Sequence, residues 1–249
     1  MKKIRVAVAG ARGRMGAEVF RALSGDDGME VVAEIELGDD LESILRNTKP
    51  DAMVDFTVPD SCYANILTAL DCGVVPLVGT TGLSAVQLDA IRERCSANRT
   101  GCLVAPNFAL GAVLMMRFSA EAAKYLPDVE ILEFHHERKV DAPSGTAVKT
   151  AEMIAASREG APASLPDNAF EVFEGARGGS APGDIPVHSI RLPGYVASQE
   201  VVFGAPGQRL SIRHDSIDRT SFMPGVLLAV RKARSLDGLV HGLEHLLQG

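Results

Sequence analysis

The sequence feature that most constrains the fold is a glycine-rich turn near the amino terminus. Residues 4–9 form an apolar, strand-like run, the segment Gly10-Ala-Arg-Gly-Arg-Met-Gly16 interrupts it, and residues 18–23 have helical periodicity. A strand, a glycine turn and a helix in this order let the backbone approach a phosphate group, because glycine has no side chain in the way and the helix start offers oriented N–H groups. The amino-terminal segment therefore predicts a site for a phosphate-bearing ligand.

The first half of the chain continues this alternation. Further strand-like runs and helical patterns follow the first unit, at residues 29–35, 52–56, 74–78 and 102–105 for the strands and, notably, at 61–70 and 85–95 for the helices. Strands that alternate with helices indicate βαβ units, hence a parallel sheet with helices on both faces. We expect an α/β, Rossmann-like dinucleotide-binding domain in this half of the chain.

The pattern changes after Asn107. Helical and strand-like runs are now less regularly spaced, at residues 110–126 and 144–158 for the helices and at 129–135, 187–192, 196–203 and 209–214 for the strands, with a loop-like stretch at 160–183. Closely spaced strands favour a partly antiparallel sheet, so the second domain is expected to be a smaller α+β domain. Residues 219–248 turn helical again and are expected to pack on the first domain.

These patterns predict two domains. Residues 1–106 and 215–249 are expected to form the dinucleotide-binding domain, and residues 107–214 the substrate-binding domain. Chains of 249 residues are long enough for two modest hydrophobic cores.

Composition excludes several classes of function. The formal net charge is -7 and the basic residues are not clustered, which argues against a nucleic-acid partner. The sequence has neither an apolar run of the roughly 20 residues that a membrane span needs nor a signal-peptide pattern, so we expect a cytoplasmic protein. The four cysteines form no Cys-x-x-Cys pair and have no histidine at zinc-ligand spacing, so no metal site is expected.

The glycine spacing points to a nicotinamide dinucleotide. Gly10, Gly13 and Gly16 follow a Gly-x-x-Gly-x-x-Gly pattern, in which Arg12 stands where the usual fingerprint has its second glycine. Two further turns follow the fourth and fifth strands, at residues 79–82 (Gly-Thr-Thr-Gly) and 105–108 (Ala-Pro-Asn-Phe). Because ligands of open α/β sheets bind at the carboxyl ends of the strands, both turns are candidates for holding the nicotinamide and its ribose.

Charged residues near the glycine turn bear on the form of the cofactor. Glu36 follows the second strand and could accept hydrogen bonds from the adenine-ribose hydroxyls, with Glu34 as the nearest alternative. Arg12 and Arg14 could pair with a ribose 2′-phosphate, because a guanidinium group matches phosphate geometry. Both NADH and NADPH are therefore expected as cofactors.

Residues 135–147 concentrate chemically active side chains in one short segment. Ser144 follows a proline and is predicted to cap a helix whose first backbone N–H groups, those of Gly145 and Thr146, would bind a carboxylate. The same segment contains two histidines, which titrate near neutral pH, and one lysine, which adds a positive charge and a transferable proton. The two histidines, His135 and His136, can share a site only if the strand ends or bends there.

The motifs together resemble a known family. The segment His135-His-Glu-Arg-Lys-Val-Asp-Ala-Pro-Ser-Gly-Thr146, with the Gly-x-x-Gly-Arg-Met-Gly turn, Asp55-Phe-Thr57, Gly-Thr-Thr-Gly and Ala-Pro-Asn-Phe in this order, resembles the 4-hydroxy-tetrahydrodipicolinate reductases, also called dihydrodipicolinate reductases. The match spans Val6 to about Val230. Family members reduce the cyclic imine derived from aspartate semialdehyde and pyruvate, in lysine biosynthesis through diaminopimelate.

This resemblance implies roles for named residues. His135 would be the acid/base residue, Lys139 the proton donor and His136 a substrate ligand, while Gly145 and Thr146 would bind a substrate carboxylate. It also implies a homotetramer built through the second domains, and a set of cofactor contacts: Gly10, Ala11, Arg12, Gly13, Arg14, Met15, Glu36, Gly79, Thr80, Thr81, Ala105, Pro106, Asn107 and Phe108. Some members have Arg after the acidic residue of the second strand where this chain has Leu37, which leaves a preference for NADPH open.

Two other functions fit parts of the sequence. An acylating semialdehyde dehydrogenase would need a nucleophilic thiolate, and the second domain contains no cysteine. A nicotinamide-binding sensor without turnover is disfavoured by the intact set of His135, Lys139, Gly145 and Thr146. His241 and His245 are expected on one face of a helix, as solvated side chains rather than metal ligands.

Overall fold

A computed structural model describes residues 2–163 and 166–247 of the chain. It contains strands β1 Ile4–Ala9, β2 Met29–Ile35, β3 Ala52–Asp55, β4 Val75–Val78, β5 Cys102–Val104, β6 Asp128–His135, β7 Gly179–Ala181, β8 Ile185–Arg191, β9 Ala197–Ala205, β10 Gln208–Ser216 and β11 Leu239–His241. The helices are α1 Arg14–Ser24, α2 Leu41–Thr48, α3 Pro59–Asp71, α4 Ala85–Asn98, α5 Leu110–Ala122, α6 Gly145–Ser157 and α7 Met223–Lys232. Within the described ranges, no helix is long and apolar enough to cross a membrane.

The chain divides into two compact units. The first is formed by Met1–Leu110 together with Arg219–Gly249, and the second by Gly111–Asp218. Both boundaries lie four residues beyond the expected ones, at 110 rather than 106 and at 218 rather than 214. The shift at the first boundary has a physical reason, since Phe108 is buried against α7, where a Cβ atom at Gly225 would lie 1.9 Å from the Phe108 carbonyl oxygen.

The first unit is built on a six-stranded sheet in the order β11-β5-β4-β3-β1-β2. All of its strand pairs are parallel, as the alternating pattern predicts. The inner strands β3, β4 and β5 are buried along their whole length, which explains their continuous apolar sequences. The chain leaves β1 in one direction to β2 and then returns to β3 on the other side, so the carboxyl ends of β1 and β3 form the switch point at which such sheets bind ligands.

The carboxyl-terminal segment differs in part from the prediction. Among the described residues 219–247, only Met223–Lys232 is α-helical, and this helix packs on α1 and β1 as expected. Leu239–His241 forms β11, which pairs with β5, so His241 lies in a strand and does not share a helix face with His245. An edge strand of three residues is too short to show an alternating pattern, which is why the sequence did not reveal it.

The second unit contains a five-stranded mixed sheet in the order β10-β9-β6-β8-β7. Its strand pairs are antiparallel except for β6 with β8, in agreement with the expected α+β domain. Helix α6 packs on one face of the sheet, where Gln199 of β9 donates a 2.8 Å hydrogen bond to Thr150 of the helix. The predicted loop at 160–183 contains one short strand, β7, and residues 164 and 165 of that loop lie outside the described residues.

Candidate active site

The glycine turn has the geometry that close approach of a ligand requires. Gly10 follows β1 with a φ of +75°, and a Cβ atom there would lie 3.0 Å from the carbonyl oxygen of Phe56. A Cβ atom at Gly16 would lie only 1.9 Å from the carbonyl oxygen of Gly10. Gly13 is the N-cap of α1 and brings no capping side chain, and the first turn of α1 has no acidic residue. The start of α1 is therefore suited to an anion.

Glu36 rather than Glu34 contacts this turn. The Oε1 atom of Glu36 accepts a 2.6 Å hydrogen bond from the backbone N–H of Arg12, whereas Glu34 pairs with Val8 inside the sheet. The side chains of Arg12 and Arg14 are exposed beside it, Ala11 is buried and Met15 is partly buried. Leu37 is 98% exposed. The acidic and basic candidates for the cofactor ribose are thus gathered at the end of β1.

A buried carboxylate joins two other turns, and sequence reasoning assigned it no role of its own. Asp55, the last residue of β3, accepts hydrogen bonds from the Thr57 N–H (2.9 Å), the Thr57 hydroxyl (2.6 Å), the Thr80 hydroxyl (3.3 Å) and the Asn65 amide (2.9 Å). Its side chain is fully buried, and its carbonyl oxygen accepts the N–H of Gly79. Its position directly after a strand, in the Asp-Phe-Thr motif, was the signal available in the sequence.

The turns after β3, β4 and β5 lie against one another through an aromatic ring. A Cβ atom at Gly79 would lie 2.1 Å from the ring of Phe56, so only glycine fits there. The ring of Phe56 packs on the ring of Phe108, with centroids 5.6 Å apart. Thr80 and Ala105 are buried, while Thr81 and Pro106 are exposed. The Asn107 side chain accepts a 2.8 Å hydrogen bond from the backbone N–H of Ala109. The cofactor candidates at 79–81 and 105–108 therefore lie at the carboxyl ends of the strands.

Removing the Asp55 carboxylate should destabilise the turns at the carboxyl ends of β3 and β4. In the Asp55→Ala variant four donor groups, which belong to three residues, lose a buried acceptor, and we expect the free energy of unfolding to fall by about 3 kcal/mol. Asp60→Ala, at an exposed position in the first turn of α3, is the matched control and should change the free energy of unfolding by less than about 1 kcal/mol. Urea denaturation of both variants measures the difference, and equal effects would contradict the structural role of Asp55.

The cysteines of the first unit do not provide a nucleophile. Burial, aided by the nearby charge of Asp55, raises the pKa of the Cys62 thiol to about 12. Burial also raises the pKa of Cys72. The Cys102 thiol donates a hydrogen bond to Cys95, and this bond together with burial raises the pKa of Cys102. The same bond lowers the pKa of Cys95, but Cys95 is buried in the apolar core, where a substrate does not reach it. The chemistry of an acylating dehydrogenase is therefore not supported.

The catalytic candidates of the second unit begin at the end of β6. This strand ends at His135, so the two adjacent histidines are no longer held on opposite faces of a sheet. Glu133 lies on the same face of β6 as His135, and its Oε2 atom bonds to the Nδ1 atom of the imidazole. The Nη2 atom of Arg191 on β8 donates a 2.7 Å hydrogen bond to the Oε1 atom of Glu133. The carboxylate is fully buried between these two partners.

The charge of Glu133 is stabilised by its partners. Burial alone would raise the pKa of this carboxyl group, but hydrogen bonds from His135, Arg191 and Ser189 outweigh burial and lower the pKa to about 2. Because the folded pKa lies below the usual value of 4.5, the ionised network stabilises the fold above about pH 4.5 and loses this contribution as the pH falls toward 2. Glu133 is thus a carboxylate throughout the neutral range.

Lys139 is held in place by the segment that follows β6. Its Nζ atom lies 2.7 and 2.8 Å from the two carboxylate oxygens of Asp141, and its side chain is 20% exposed. The hydrogen bond from Lys139 lowers the pKa of Asp141 below its usual range. Arg191 donates a 2.8 Å hydrogen bond to the backbone oxygen of Asp141, which connects Lys139 to the network around His135.

The predicted helix start is present next to these residues. Ser144 is the N-cap of α6, and its hydroxyl accepts a 3.2 Å hydrogen bond from the N–H of Ala147. Gly145 and Thr146 are the first residues of the helix, and apart from Gly145's own helix and chain neighbours, no described heavy atom lies within 4 Å of a Cβ atom built on Gly145. His136 is partly buried, and its Nδ1 atom accepts a 3.2 Å hydrogen bond from the N–H of Arg138. The structure therefore connects His135 with Lys139 through Glu133, Arg191 and Asp141, and the helix start of Gly145 and Thr146 follows this segment in the chain.

Sequence reasoning missed two members of this region. Glu133 shares the alternating register of the buried residues Val129 and Ile131, so a charged residue at a core position of β6 was a readable signal. Arg191 carried no such signal, because it belongs to a distant strand and meets Glu133 only through the pairing of β8 with β6.

Comparison with known proteins decides the family. The family model "Dihydrodipicolinate reductase, N-terminus" matches residues 4–108, and "Dihydrodipicolinate reductase, C-terminus" matches residues 111–247. The chain belongs to the dihydrodipicolinate reductase family. This membership makes it an oxidoreductase with 4-hydroxy-tetrahydrodipicolinate reductase activity, in lysine biosynthesis through diaminopimelate. The family implies a nicotinamide cofactor.

Individual relatives of the family cover the whole chain. A 4-hydroxy-tetrahydrodipicolinate reductase from Desulfitobacterium hafniense is 48% identical over 269 aligned positions, covering 100% of both chains. One from Syntrophomonas wolfei is 46% identical, covering 99% of each. The solved structure of dipicolinate-bound dihydrodipicolinate reductase from Paenisporosarcina sp. TG-14 has a TM-score of 0.87 and 42% identity, and covers 98% of this chain and 99% of that one.

More distant structures share the fold alone. A probable dehydrogenase from Thermotoga maritima has a TM-score of 0.66 at 12% identity, covering 97% of this chain and 92% of that chain. The fold of this chain therefore occurs beyond the dihydrodipicolinate reductase family.

Proposed function

We propose that the residues of the second unit bind the cyclic imine dicarboxylate and supply its proton, while those of the first unit bind NADH or NADPH. The observation that carries this proposal is the grouping of His135, Lys139 and the start of α6 within one short segment. Bound nicotinamide supplies the hydride, one proton is taken up and the 4-hydroxyl group leaves as water, which gives tetrahydrodipicolinate as the product.

The glycine turn fits a dinucleotide. Side chains at Gly10 and Gly16 would collide with the backbone, and the absence of those side chains leaves the pyrophosphate free to approach the N–H groups at the start of α1. The turn residues from Gly10 to Met15 are the proposed contacts. Glu36 would bind the adenine-ribose hydroxyls of NADH, and the exposed guanidinium groups of Arg12 and Arg14 would bind the 2′-phosphate of NADPH. We therefore propose that both cofactors are used.

The nicotinamide end of the cofactor would bind at the carboxyl ends of the strands in the same sheet. The proposed contacts are the turns after β4 and β5, that is, Gly79, Thr80, Thr81, Ala105, Pro106, Asn107 and Phe108. Asp55 supports this binding indirectly, because it fixes the Thr80 hydroxyl and the Thr57 backbone. The packing of Phe56 between Gly79 and Phe108 limits the movement of both turns.

One substrate carboxylate would bind at the start of α6. The backbone N–H groups of Gly145 and Thr146 are the proposed donors, helped by the positive end of the helix dipole. His136 is the proposed further ligand of the substrate. Lys139 and His135 lie in the segment just before this helix and are the proposed proton donors. The chemistry requires one proton where negative charge builds up as an electrophilic ring carbon receives hydride.

We also propose assembly as a homotetramer through the second units. The face of the mixed sheet opposite Glu133 contains Phe134, whose ring stacks on Tyr195 at 5.2 Å. Large apolar side chains are exposed on this unit, including Phe170 (83%), Phe173 (78%) and Leu210 (40%). Exposed apolar area of this kind is typical of a surface that another subunit covers.

A planar dicarboxylate tests the proposed substrate site. Dipicolinate, with two carboxylates on a six-membered ring, should inhibit the purified chain competitively against the imine. Pyridine-2-carboxylate, which lacks the second carboxylate, should bind at least about tenfold more weakly, because it forms one charged contact fewer. Inhibition constants for the two compounds measure the difference. Equal inhibition by both would contradict a site built for two carboxylates.

A further inference from the structure

We propose that Glu133 and Arg191 are positioning residues that set the orientation and the tautomer of the His135 imidazole. This inference rests on the proposed acid/base role of His135 and deepens it. Neither residue is expected to touch the substrate, since Glu133 acts on the ring nitrogen that faces away from the reaction and Arg191 acts on Glu133.

The contacts of the carboxylate carry the argument. Glu133 is fully buried, its Oε2 atom bonds to His135 and its Oε1 atom to Arg191, and Ser189 provides a further hydrogen bond to the carboxylate. An ionised carboxylate only accepts hydrogen bonds, so the Nδ1 atom of His135 must be the donor. In the neutral imidazole the proton then resides on Nδ1, and Nε2 is left as the atom that exchanges a proton with the substrate.

Arg191 holds the other side of the network. On the parallel strands β6 and β8, Arg191 is the register partner of His135. Besides Glu133, its guanidinium donates to the backbone oxygens of Ile190 (2.9 Å) and Asp141 (2.8 Å). One arginine therefore anchors the carboxylate that orients the proposed acid/base residue and the segment that holds Lys139.

Within residues 2–163 and 166–247, the charged groups connected to this network are few. Arg191 from β8 bonds to Glu133 and to the backbone oxygen of Asp141, whose carboxylate pairs with Lys139 from the segment after β6. The residue opposite Glu133 on β9 is the neutral Gln199, which is bonded to Thr150 of α6. The low pKa of Glu133, near 2, keeps the carboxylate ionised throughout the neutral range.

The arrangement predicts an unusual outcome for Glu133→Gln. Arg191 offers only N–H donors, so it will hold the amide oxygen of the new side chain, and the amide NH2 will then face His135. The Nδ1 atom of the imidazole must become an acceptor, which moves the proton of the neutral ring to Nε2. The substitution changes only one atom of the side chain, yet it should invert the tautomer.

Two measurements test this inversion. In 15N-histidine NMR spectra, the neutral His135 ring should change from the Nδ1–H form in the wild type to the Nε2–H form in Glu133→Gln. The variant's kcat should fall by about 50-fold, with the KM for the cofactor within about twofold of wild type. The ratio of wild-type to variant activity should also increase from pH 6 to pH 9, because the imidazolium has lost its counter-ion.

A matched control variant and a double variant show whether the change of tautomer is specific to Glu133. Glu130→Gln removes a carboxylate that also pairs with a histidine, His188 at 3.0 Å, on the same sheet, and it should leave the His135 tautomer and the pH dependence unchanged. Adding Arg191→Met to Glu133→Gln frees the amide to turn its oxygen toward His135, so the Nδ1–H form should return. Neutralising both partners also avoids leaving one buried charge unpaired, which favours folding of the double variant.

The outcomes separate this inference from the proposed function. An unchanged tautomer and pH dependence in folded Glu133→Gln would overturn the positioning role, and so would equal effects in Glu130→Gln. If the wild type shows the Nδ1–H form and Glu133→Gln inverts it while the wild type fails to reduce the imine, the positioning geometry stands and the proposed role of His135 fails.

Discussion

The Lys139→Ala variant is expected to lose about a thousandfold in kcat, while its KM for NADH stays within about twofold of wild type. The physical reason is that Lys139 is proposed to deliver the proton that neutralises the substrate as hydride arrives. The ammonium group is placed for this role by its two contacts with Asp141, at 2.7 and 2.8 Å. Steady-state rates with saturating cofactor and imine measure the loss.

Lys149→Ala provides the control for Lys139→Ala. Lys149 lies on α6 in the same unit and has only a 3.8 Å contact with Glu152, at the surface. Its removal should change kcat by less than about twofold, since exposed ion pairs contribute little. A fall of less than tenfold in Lys139→Ala, with the protein folded, would show that another group supplies the proton.

The second large effect is expected at the glycine turn. In Gly16→Ala the new Cβ atom would lie 1.9 Å from the carbonyl oxygen of Gly10 and 2.8 Å from the Cα atom of Ala11. Backbone atoms cannot yield as a flexible side chain can, so the turn must move away from the position that binds the pyrophosphate. We expect the Kd for NADH to rise by at least about 100-fold, which corresponds to nearly 3 kcal/mol.

Gly25→Ala tests whether the position of the methyl group decides this effect. Gly25 is the C-cap of the same helix, with a φ of -85°, and a Cβ atom there meets only the carbonyl oxygens of Arg21 and Ala22 at 3.4 and 3.8 Å. This variant should bind NADH as the wild type does in fluorescence titrations. Normal cofactor binding by Gly16→Ala would contradict the assignment of the turn.

The regular parts of the fold were predictable from the sequence. The bounds of β1 and β2 agree with the apolar runs, and the parallel sheet follows from strands that alternate with helices. Periodicity works there because each element is long enough to show it and is buried by its neighbours in the chain order. Leu239–His241 was not predicted as a strand for the opposite reasons, because it is a short edge strand and pairs with a segment far away in the sequence.

The residues of the candidate site also divide into those that the sequence locates and those that only the structure reveals. His135, Lys139 and Ser144 lie in one continuous motif, so the sequence alone locates them. The choice between Glu36 and Glu34 needed the structure, because it depends on which carboxylate reaches the N–H of Arg12. Arg191 needed it too, since only the pairing of β8 with β6 brings its guanidinium to Glu133.

The most direct test of the account is the oxidation of NADH, and separately of NADPH, by the purified chain when the cyclic imine is formed in the same cuvette from aspartate semialdehyde and pyruvate. We predict rapid loss of cofactor absorbance with both cofactors, which depends on the imine and is about a thousandfold slower in Lys139→Ala. Tight binding of the cofactor with no oxidation in the presence of the imine would contradict the account and favour a nicotinamide-binding sensor.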